Sequence, residues 1–230
     1  MDARDLSVVV PALNESARVA VFCRQLESLR CPVIVVDGGS SDGTYQQFQA
    51  LAGTRVRVVQ SEPGRARQMN YGATLAETPN LLFLHADTVL PPDAVLLAMK
   101  ALAGTGSSWG RFDVSFDNDL PTMKTVAWFM NQRSALTGIC TGDQAIFTTV
   151  RAFEAAGRFP DIPLMEDIAL CRRLLKAGRP ARIRTPVVTA SRRWQQQGVL
   201  RTIVTMWWLR LLYTAGVPPD QLAKRYEHAR

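Results

Sequence analysis

The hydrophobic pattern of residues 6–90 alternates between short apolar runs and stretches with helical periodicity. The apolar runs are Leu6–Val10, Val33–Val36, Val56–Val59 and Leu81–Leu84. Continuous short runs of this kind are typical of strands that are buried on both faces of a sheet. Pro11 is predicted to close the first strand.

Segments with the spacing of helices lie between these runs. Asn14 or Ser16 is positioned to cap the first helix, a second is predicted through Tyr45–Leu51, and Gly64 is positioned to open the third. The inward positions of the first and third helices are Val19, Phe22, Leu26 and Leu29, and Ala66, Met69, Ala73 and Ala76. This alternation predicts an α/β fold, a mostly parallel sheet covered by helices on both faces.

A break rich in glycine and serine at residues 103–108 ends this alternation. Beyond it, Trp109–Phe116 alternates like an antiparallel or edge strand, and Ala145–Val150 is a further strand candidate. A helix is predicted from near Met165 to Gly178. We therefore expect one domain with three parts: a nucleotide-type half (1–105), a mixed half that receives a second substrate (106–195) and a C-terminal helical segment (196–230).

The C-terminal segment has apolar side chains at helical spacing, and Gly216 ends the run. The apolar positions are Leu200, Ile203, Val204, Trp207, Trp208, Leu211 and Leu212. Too few uncharged residues separate Arg201 from Arg210 to span a bilayer. Tryptophans beside basic residues are typical of an amphipathic helix on an anionic membrane, although a helix packed on the core or at a dimer interface fits the same pattern.

Composition is that of an ordinary globular protein. The 230 residues are 47% hydrophobic, enough to build the core of one large domain. The four cysteines, Cys23, Cys31, Cys140 and Cys171, are scattered and lack zinc-site spacing. We therefore expect reduced thiols in a cytoplasmic protein. The charged start Met1–Asp5 has the pattern of neither a signal peptide nor a membrane span.

The net charge of +7 has three candidate causes: nucleic acid, an anionic membrane surface or a phosphorylated substrate. Many of the arginines lie in the second half, where apolar residues interrupt them. The sequence contains no zinc-finger spacing, aromatic RNA-binding signature or basic-leucine heptad, so we expect no nucleic-acid partner.

Side chains with metal-binding chemistry follow the fourth apolar run. In a strand that continues past Leu84, His85 and Asp87 would face the same way at its carboxyl end, where open α/β sheets bind ligands. A carboxylate there can hold a divalent cation, and the cation can hold a diphosphate, which favours a phosphate-ester substrate. The alternative is a solvated strand end before a turn at Pro91–Pro92.

Several segments together resemble glycosyltransferase family 2 in order and spacing, over roughly residues 6–195. They are Pro11–Glu15, Val35–Thr44, Gly64–Gly72, Phe83–Thr88, Thr141–Phe147 and Leu164–Ile168. Trp109–Asp113 and Gly142–Gln144 are also similar to a small bacterial subgroup of that family. The resemblance implies a GT-A fold, a nucleoside-diphosphate sugar donor and an inverting single displacement. Uridine diphosphate is the default donor nucleotide of the family.

The resemblance also implies which residues bind the donor. It implies that Asp37 binds the base and ribose of the nucleotide. It also implies that the start of the third helix, with Arg67, binds the phosphate oxygens. The full set of donor-binding positions is Pro11, Asn14, Glu15, Asp37, Gly39, Arg67, Asn70, His85 and Asp87. The alternative for Asp37 is a plain turn in which its side chain caps the next helix. The alternative for Arg65 is a side chain that is only exposed to solvent.

Asp87 matches the final carboxylate of the family's Asp-x-Asp type motif, which implies that it binds Mn²⁺ or Mg²⁺. Such an ion would offset the charge that develops on the leaving nucleoside diphosphate. His85 stands where many relatives carry the first aspartate, and imidazole favours Mn²⁺ over Mg²⁺ more than oxygen ligands do.

Glu166 and Asp167 resemble the family's acidic pair on the acceptor side. The resemblance implies that Asp167 is the base that deprotonates the acceptor hydroxyl and that Glu166 orients it. Two acidic residues in the first turn of a helix also offset the helix macrodipole, and the two interpretations are compatible.

Further acceptor-side residues come from the same resemblance. Asp143 and Gln144 belong to a familial segment, and Arg193 and Trp194 are a partial match to a Gln-x-x-Arg-Trp signature of processive relatives. A structural role is the alternative for Trp194. Ala190 replaces the glutamine of that signature, so we expect single transfers. The acceptor hydroxyl is expected to belong to an unidentified molecule, with a lipid-linked acceptor suggested by the C-terminal segment.

Two other functions fit parts of this sequence pattern. A sugar-nucleotide pyrophosphorylase would share the strand-helix alternation, but its glycine-rich loop after the first strand is missing from Pro11–Ser16. A non-catalytic nucleotide- or lipid-binding protein that keeps the fold is the second alternative. The acidic residues Asp37, Asp87, Glu166 and Asp167 are all present, which favours an enzyme.

Overall fold

Eight strands form one sheet in this computed structural model. It describes residues 3–104 and 106–228 and, within them, all side chains except those of Ala3, Arg193, Gln196, Gln197, Glu227 and His228. The strands are β1 (Leu6–Ala12), β2 (Val33–Asp37), β3 (Val56–Gln60), β4 (Asn80–Phe83), β5 (Thr88–Val89), β6 (Trp109–Phe116), β7 (Phe147–Thr149) and β8 (Ala181–Thr189). Their order across the sheet is β3-β2-β1-β4-β7-β6-β8-β5.

Helices connect and cover the strands. They are α1 (Ser16–Ser28), α2 (Thr44–Gln49), α3 (Arg65–Thr74), α4 (Ala94–Gly104), α5 (Pro121–Thr137), α6 (Val150–Ala155), α7 (Glu166–Leu174), α8 (Arg192–Gln197), α9 (Val199–Thr214) and α10 (Pro219–His228).

The first four strands in sheet order, β3-β2-β1-β4, are parallel, as predicted. Alternate residues of β1 enter two different cores: Val8 and Val10 pack with residues of α1, whereas Val9 packs with residues of α3. The sheet is therefore covered on both faces, which explains why its strands are continuous apolar runs.

The second half of the sheet is mixed. β7 pairs antiparallel with β4, and β6 pairs antiparallel with β7 and parallel with β8. The prediction of antiparallel pairing for Trp109–Phe116 is confirmed only at Trp109 and Gly110, since Gly110–Phe116 pair parallel with β8, and the description as an edge strand is wrong. β8 covers its second side, and the arginine and proline residues inside β8 weaken the strand pattern of that partner.

Two strand boundaries differ from the predictions. β1 continues through Pro11 to Ala12, because the pairing of β1 with β4 ends at Val9 and a proline beyond it costs no bond on that side. β4 ends at Phe83, so His85 and Asp87 lie in the connection after the strand rather than on it.

The start of α1 is stabilised by the loop that follows β2 instead of by its own side chains. Glu15 is the N-cap residue and makes no side-chain cap bond, contrary to the prediction for Asn14 or Ser16. The Glu15 amide donates to Oγ1 of Thr44, and the Ser16 amide donates to Oδ2 of Asp42. The loops after β1 and β2 are thereby held together at the carboxyl edge of the sheet.

The C-terminal helices pack on the start of α7. Leu209 of α9 and Leu222 of α10 are buried with Met165 and Ile168. The prediction of a C-terminal apolar helix is confirmed, since α9 ends just before Gly216. Between residues 3 and 228, Thr105 aside, none of the helices has the length and apolar character that crossing a membrane requires.

Candidate active site

A cavity of about 890 Å³ lies beside the carboxyl ends of β1 and β4. Its polar and charged lining includes Asn14, Glu15, Arg18, Arg65, His85, Asp87, Arg133, Asp143, Glu166, Asp167, Arg192 and Arg210. Its apolar lining comes mainly from α5 and α9 and includes Val126, Phe129, Met130, Ile203, Met206 and Trp207. The cavity therefore joins a charged region at the sheet edge to an apolar region between helices.

Two acidic side chains from different loops share one part of the cavity. Burial raises the pKa of the Glu15 carboxyl above its ordinary value, and the negative charge of Asp87 raises it further. Arg18 and Arg192 oppose that rise. The mutual repulsion of two carboxylates is relieved when a cation lies between or beside them.

His85 packs against the segment that precedes β7. Its Nδ1 lies 3.4 Å from Oδ1 of Asp143. A Cβ added at Gly142 would lie 2.2 Å from the His85 ring, so only glycine permits this approach. The histidine is thus held between the sheet edge and the loop before β7.

Asp167 is the second residue of α7, and backbone amides hold both of its carboxylate oxygens. Gly142 N–H donates to Oδ2 at 3.0 Å, and Ile168 N–H donates to Oδ1 at 2.7 Å. Burial raises the pKa of the Asp167 carboxyl to about 6, and the negative charge of Glu166 adds to the rise. The two amides and Arg65 act in the opposite direction.

Glu166 lies beside Asp167 but makes a different contact. Its buried carboxylate is paired with Arg65, at 3.3 Å between Oε1 and the guanidinium nitrogen. Arg65 lines the cavity and links the start of α3 to the start of α7, and 57% of its side chain is exposed, so the solvated alternative also describes it in part.

Arg133 projects from α5 into the cavity lining. Its Nε and one terminal nitrogen are buried, and neither atom finds a hydrogen-bond partner within residues 3–104 and 106–228. Burial lowers the pKa of its guanidinium, and the attraction of Asp167 opposes that shift. Sequence reasoning missed this residue, although Val126, Phe129, Met130 and Arg133 share the spacing of one helix face.

Asp37 lies at the end of β2, fully buried. Its Oδ2 accepts hydrogen bonds from the amides of Gly39 and Ser40, both at 2.9 Å. Helix α2 begins later, with Gly43 as its N-cap residue, so Asp37 stabilises a turn and does not cap the helix. No donor to Oδ1 exists among the residues that the structure describes.

Several predicted site residues lie apart from this cavity. Arg67 is paired with Asp161 at 2.8 Å, and Asn70 bonds the backbone of Phe159, so both anchor the segment before α7. Gln144 is buried and donates to Ser134 Oγ, which makes it a structural link to α5. Pro11 is a buried residue of β1.

Trp194 lines the cavity and makes an edge-to-face contact with Phe116. The predicted role of the Arg193 side chain falls outside the described part of the structure.

In the described part of the chain, no three His, Cys, Asp or Glu side chains gather as a metal site. Magnesium-type sites often need fewer protein ligands, since one or two carboxylates and the phosphates of the substrate complete the coordination. The donor chemistry of Asp87 with the neighbouring Glu15 is compatible with such a shared site.

Solved structures with the same architecture define the fold class. S. aureus TarS in complex with UDP superposes with a TM-score of 0.65 at 17% identity, covering 81% of this chain and 60% of that chain. The mannosyltransferase PcManGT from Pyrobaculum calidifontis, in complex with GDP-Man and Mn²⁺, gives 0.63 at 21% identity, covering 81% and 56%. Glucosyl-3-phosphoglycerate synthase from Mycobacterium tuberculosis, with Mn²⁺ and UDP-glucose, gives 0.57 at 17%, covering 81% and 70%. The fold is that of the GT-A glycosyltransferases.

Sequence comparison then gives the family. Residues 7–154 match the model of glycosyl transferase family 2, and the chain belongs to that family. A dolichol-phosphate mannosyltransferase of Mycosarcoma maydis is 29% identical over 139 residues, which are 52% of this chain and 47% of that protein. An uncharacterised protein of Methanocaldococcus jannaschii is 27% identical over 108 residues, 43% of this chain and 47% of that protein. The chain spans about half the length of both curated relatives.

Proposed function

We propose that this glycosyltransferase moves one sugar from a nucleoside-diphosphate donor to a hydroxyl acceptor, with inversion, and that Asp167 is the base. The observation that carries this proposal is the environment of Asp167. Its carboxylate lines the cavity, two amides fix its orientation, and its pKa is raised to about 6. A base whose pKa lies near the working pH is both deprotonated and able to accept a proton.

Inversion requires the acceptor oxygen to attack from the face opposite the leaving diphosphate. Asp167 would remove the hydroxyl proton during that attack, and the amides of Gly142 and Ile168 keep its oxygens in place. Glu166 is held by Arg65 and contributes negative charge that raises the proton affinity of Asp167. Glu166 thus assists the base through its charge.

The donor nucleotide is proposed to bind at the loops after β1 and β2. Asp37 Oδ1 is a buried acceptor for which the described residues supply no donor, and the N–H of a nucleotide base would satisfy it. Because Asp37 is fully covered, binding requires the Gly38–Gly39 turn to open toward the base. Structural neighbours bind UDP or GDP-Man, and we propose a uridine nucleotide as the donor.

A divalent cation is proposed to be held by Asp87, with Glu15 close by. When bound, Mn²⁺ or Mg²⁺ would stabilise the negative charge of the leaving nucleoside diphosphate. Arg65, Arg18 and Arg192 also line this region, so the chain supplies positive charge of its own near the phosphates.

The acceptor is proposed to enter from the side of Asp143 and Trp194, both of which line the cavity. Single transfer is the expected outcome, since the processive signature is incomplete at Ala190.

A position at the surface of an anionic membrane is also proposed. Large apolar side chains of α5 and α9 are more than half exposed, among them Trp128, Phe129, Trp207 and Trp208. Arg201 and Arg210 lie on the same helix as the two later tryptophans. Aromatic residues beside arginines suit the interface between headgroups and acyl chains.

The test is a thermal-shift panel of UDP, GDP, CDP and dTDP with their sugars, each with and without Mn²⁺. Ligands that bind only the native state raise the apparent melting temperature by mass action. The proposal expects a Mn²⁺-dependent shift with uridine nucleotides that Asp87→Asn removes. The control Asp93→Asn, at an exposed position, should keep the shift. Absence of a shift with every nucleotide would contradict the proposed donor class.

A further inference from the structure

Helices α5 and α9 supply the apolar wall of the cavity in the same pattern. On α5 the wall residues are Val126, Phe129 and Met130, followed one turn later by Arg133. On α9 they are Ile203, Met206 and Trp207, followed one turn later by Arg210. Each helix thus presents three apolar side chains and then an arginine along one face.

The two arginines lie at the border of a second, smaller space. A pocket of about 130 Å³ adjoins the main cavity and is lined by both Arg133 and Arg210. Arg172 also lines it, with its guanidinium over the Tyr213 ring and bonded to Thr214 Oγ1. Positive charge is therefore concentrated at the end of the apolar wall.

Arg133 has buried guanidinium nitrogens whose hydrogen bonds the described residues do not complete. Its Nε and one terminal nitrogen are buried, and the described residues provide a hydrogen-bond acceptor for neither. The nearby carboxylate of Asp167 is already bonded through both oxygens to backbone amides. Two buried guanidinium nitrogens without acceptors are costly for the folded protein unless a ligand completes their hydrogen bonds.

We propose that Arg133, with Arg210, binds an anionic group of the acceptor, and that the acceptor's apolar portion lies along the wall formed by α5 and α9. The acceptor class is then an amphipathic anion, a phosphate or carboxylate joined to an apolar chain, with its reacting hydroxyl near Asp167. This inference rests on the proposed function and specifies the substrate of the same site. Guanidinium is suited to this role because its planar donor pairs match carboxylate and phosphate oxygens.

The geometry of the acidic groups is consistent with this arrangement. Arg133 lines the same cavity as Asp167 and Asp143, and both carboxylates attract its guanidinium, so Arg133 lies near the proposed base. An anionic group bound at Arg133 would therefore place a neighbouring hydroxyl close to Asp167. The exposed aromatic residues of the same two helices would face the medium from which an amphipathic molecule enters.

The test measures binding of dodecyl phosphate, below its micelle concentration, by titration calorimetry. Dodecanol and inorganic phosphate are the matched probes that lack the charge or the chain. The variants are Arg133→Met, Arg133→Lys and the control Arg57→Met, which removes an exposed arginine of β3. A parallel thermal shift with nucleotide is recorded for every variant.

We expect dodecyl phosphate to bind at least about tenfold more tightly than either matched probe, since charge-assisted hydrogen bonds and burial of the chain both contribute. Arg133→Met should weaken the binding of dodecyl phosphate about tenfold or more. Arg133→Lys should weaken it less, and Arg57→Met should leave it unchanged. Without ligand, Arg133→Met should melt at the same or a higher temperature than the wild type, because it removes two buried nitrogens that lack hydrogen-bond acceptors.

Equal affinity in Arg133→Met and wild type would overturn the inference, as would equal affinity for dodecanol or for inorganic phosphate. A marked loss of stability in Arg133→Met would also overturn it, by showing a structural role. Vesicles of phosphatidic acid in phosphatidylcholine form a second arm, and a response that depends on Arg133 supports the inference with a membrane as the source. If nucleotides do not raise the melting temperature of the wild type but dodecyl phosphate still binds it, the proposed donor is contradicted. The inference about the acceptor is then still supported.

Discussion

The amide of Gly142 donates a hydrogen bond to the carboxylate of Asp167, at 3.0 Å between the nitrogen and Oδ2. The same glycine lies so close to His85 that an added Cβ would be 2.2 Å from the imidazole ring. One residue of the loop before β7 therefore positions the candidate base and contacts the connection that carries Asp87. The candidate base and the connection that carries Asp87 are linked through this glycine.

Gly142→Ala should lower turnover by about 100-fold, because the methyl group must displace either the His85 ring or the loop that holds Asp167. The measurement is release of nucleoside diphosphate from the donor that the thermal-shift panel identifies. Gly104→Ala is the matched control, since its added Cβ meets no described atom within 4 Å. Unchanged turnover in Gly142→Ala would show that the loop does not position the base.

The raised pKa of Asp167 predicts the pH dependence of catalysis. Only the deprotonated carboxylate can accept the acceptor proton, so kcat/KM should increase with pH and level off above a pKa of about 6. A pH series of kcat/KM on wild-type enzyme measures this value in the free protein. A plateau that continues down to pH 4.5 would contradict the proposed environment of the carboxylate.

The same shift makes Asp167 a destabilising residue at neutral pH. Its pKa in the folded protein is raised to about 6, so the stability that this group contributes is present at low pH and is lost as pH rises through 6. Asp167→Asn carries no charge, so it should gain roughly 1 to 3 kcal/mol over the wild type between pH 4 and pH 8. Urea unfolding at the two pH values measures the gain. If the difference in the free energy of unfolding between the two proteins does not change with pH, the raised pKa of Asp167 is contradicted.

The sequence predicted the parts of the fold that depend on local patterns. Continuous apolar runs identified β1 to β4, and helical spacing identified α1, α3 and α9. Helix α5 was missed because every residue from Val126 to Met130 is apolar, which hides the spacing of the face that carries Val126, Phe129 and Arg133. Strand β8 was missed because Arg182, Arg184 and Pro186 interrupt its apolar positions.

The candidate site was predicted to a similar extent. The motifs located Glu15, His85, Asp87 and Asp167, which all line the cavity. Gly142 and Arg133 were not predicted as site residues, because their roles depend on contacts between segments that are distant in sequence. Arg67 matched a motif, yet its partner is Asp161, a pairing that only the tertiary structure reveals.

The exposed aromatic residues predict binding to anionic membranes. The wild-type protein should float with phosphatidylglycerol liposomes, and the double variant Trp128→Glu with Trp208→Glu should float several-fold less, because it removes apolar contact and adds negative charge. Val21→Glu is the control, since it changes an exposed apolar residue of α1. If the wild type stays with the unbound fraction at low salt, the exposed face has another partner.

The most direct test of the central claim compares wild type with Asp167→Asn in both donor binding and turnover. The proposal predicts that the variant keeps the wild-type thermal shift with nucleotide sugar, while release of nucleoside diphosphate falls about 10² to 10⁴-fold, the usual contribution of a general base. Turnover at the wild-type level with intact donor binding would show that Asp167 is not the base.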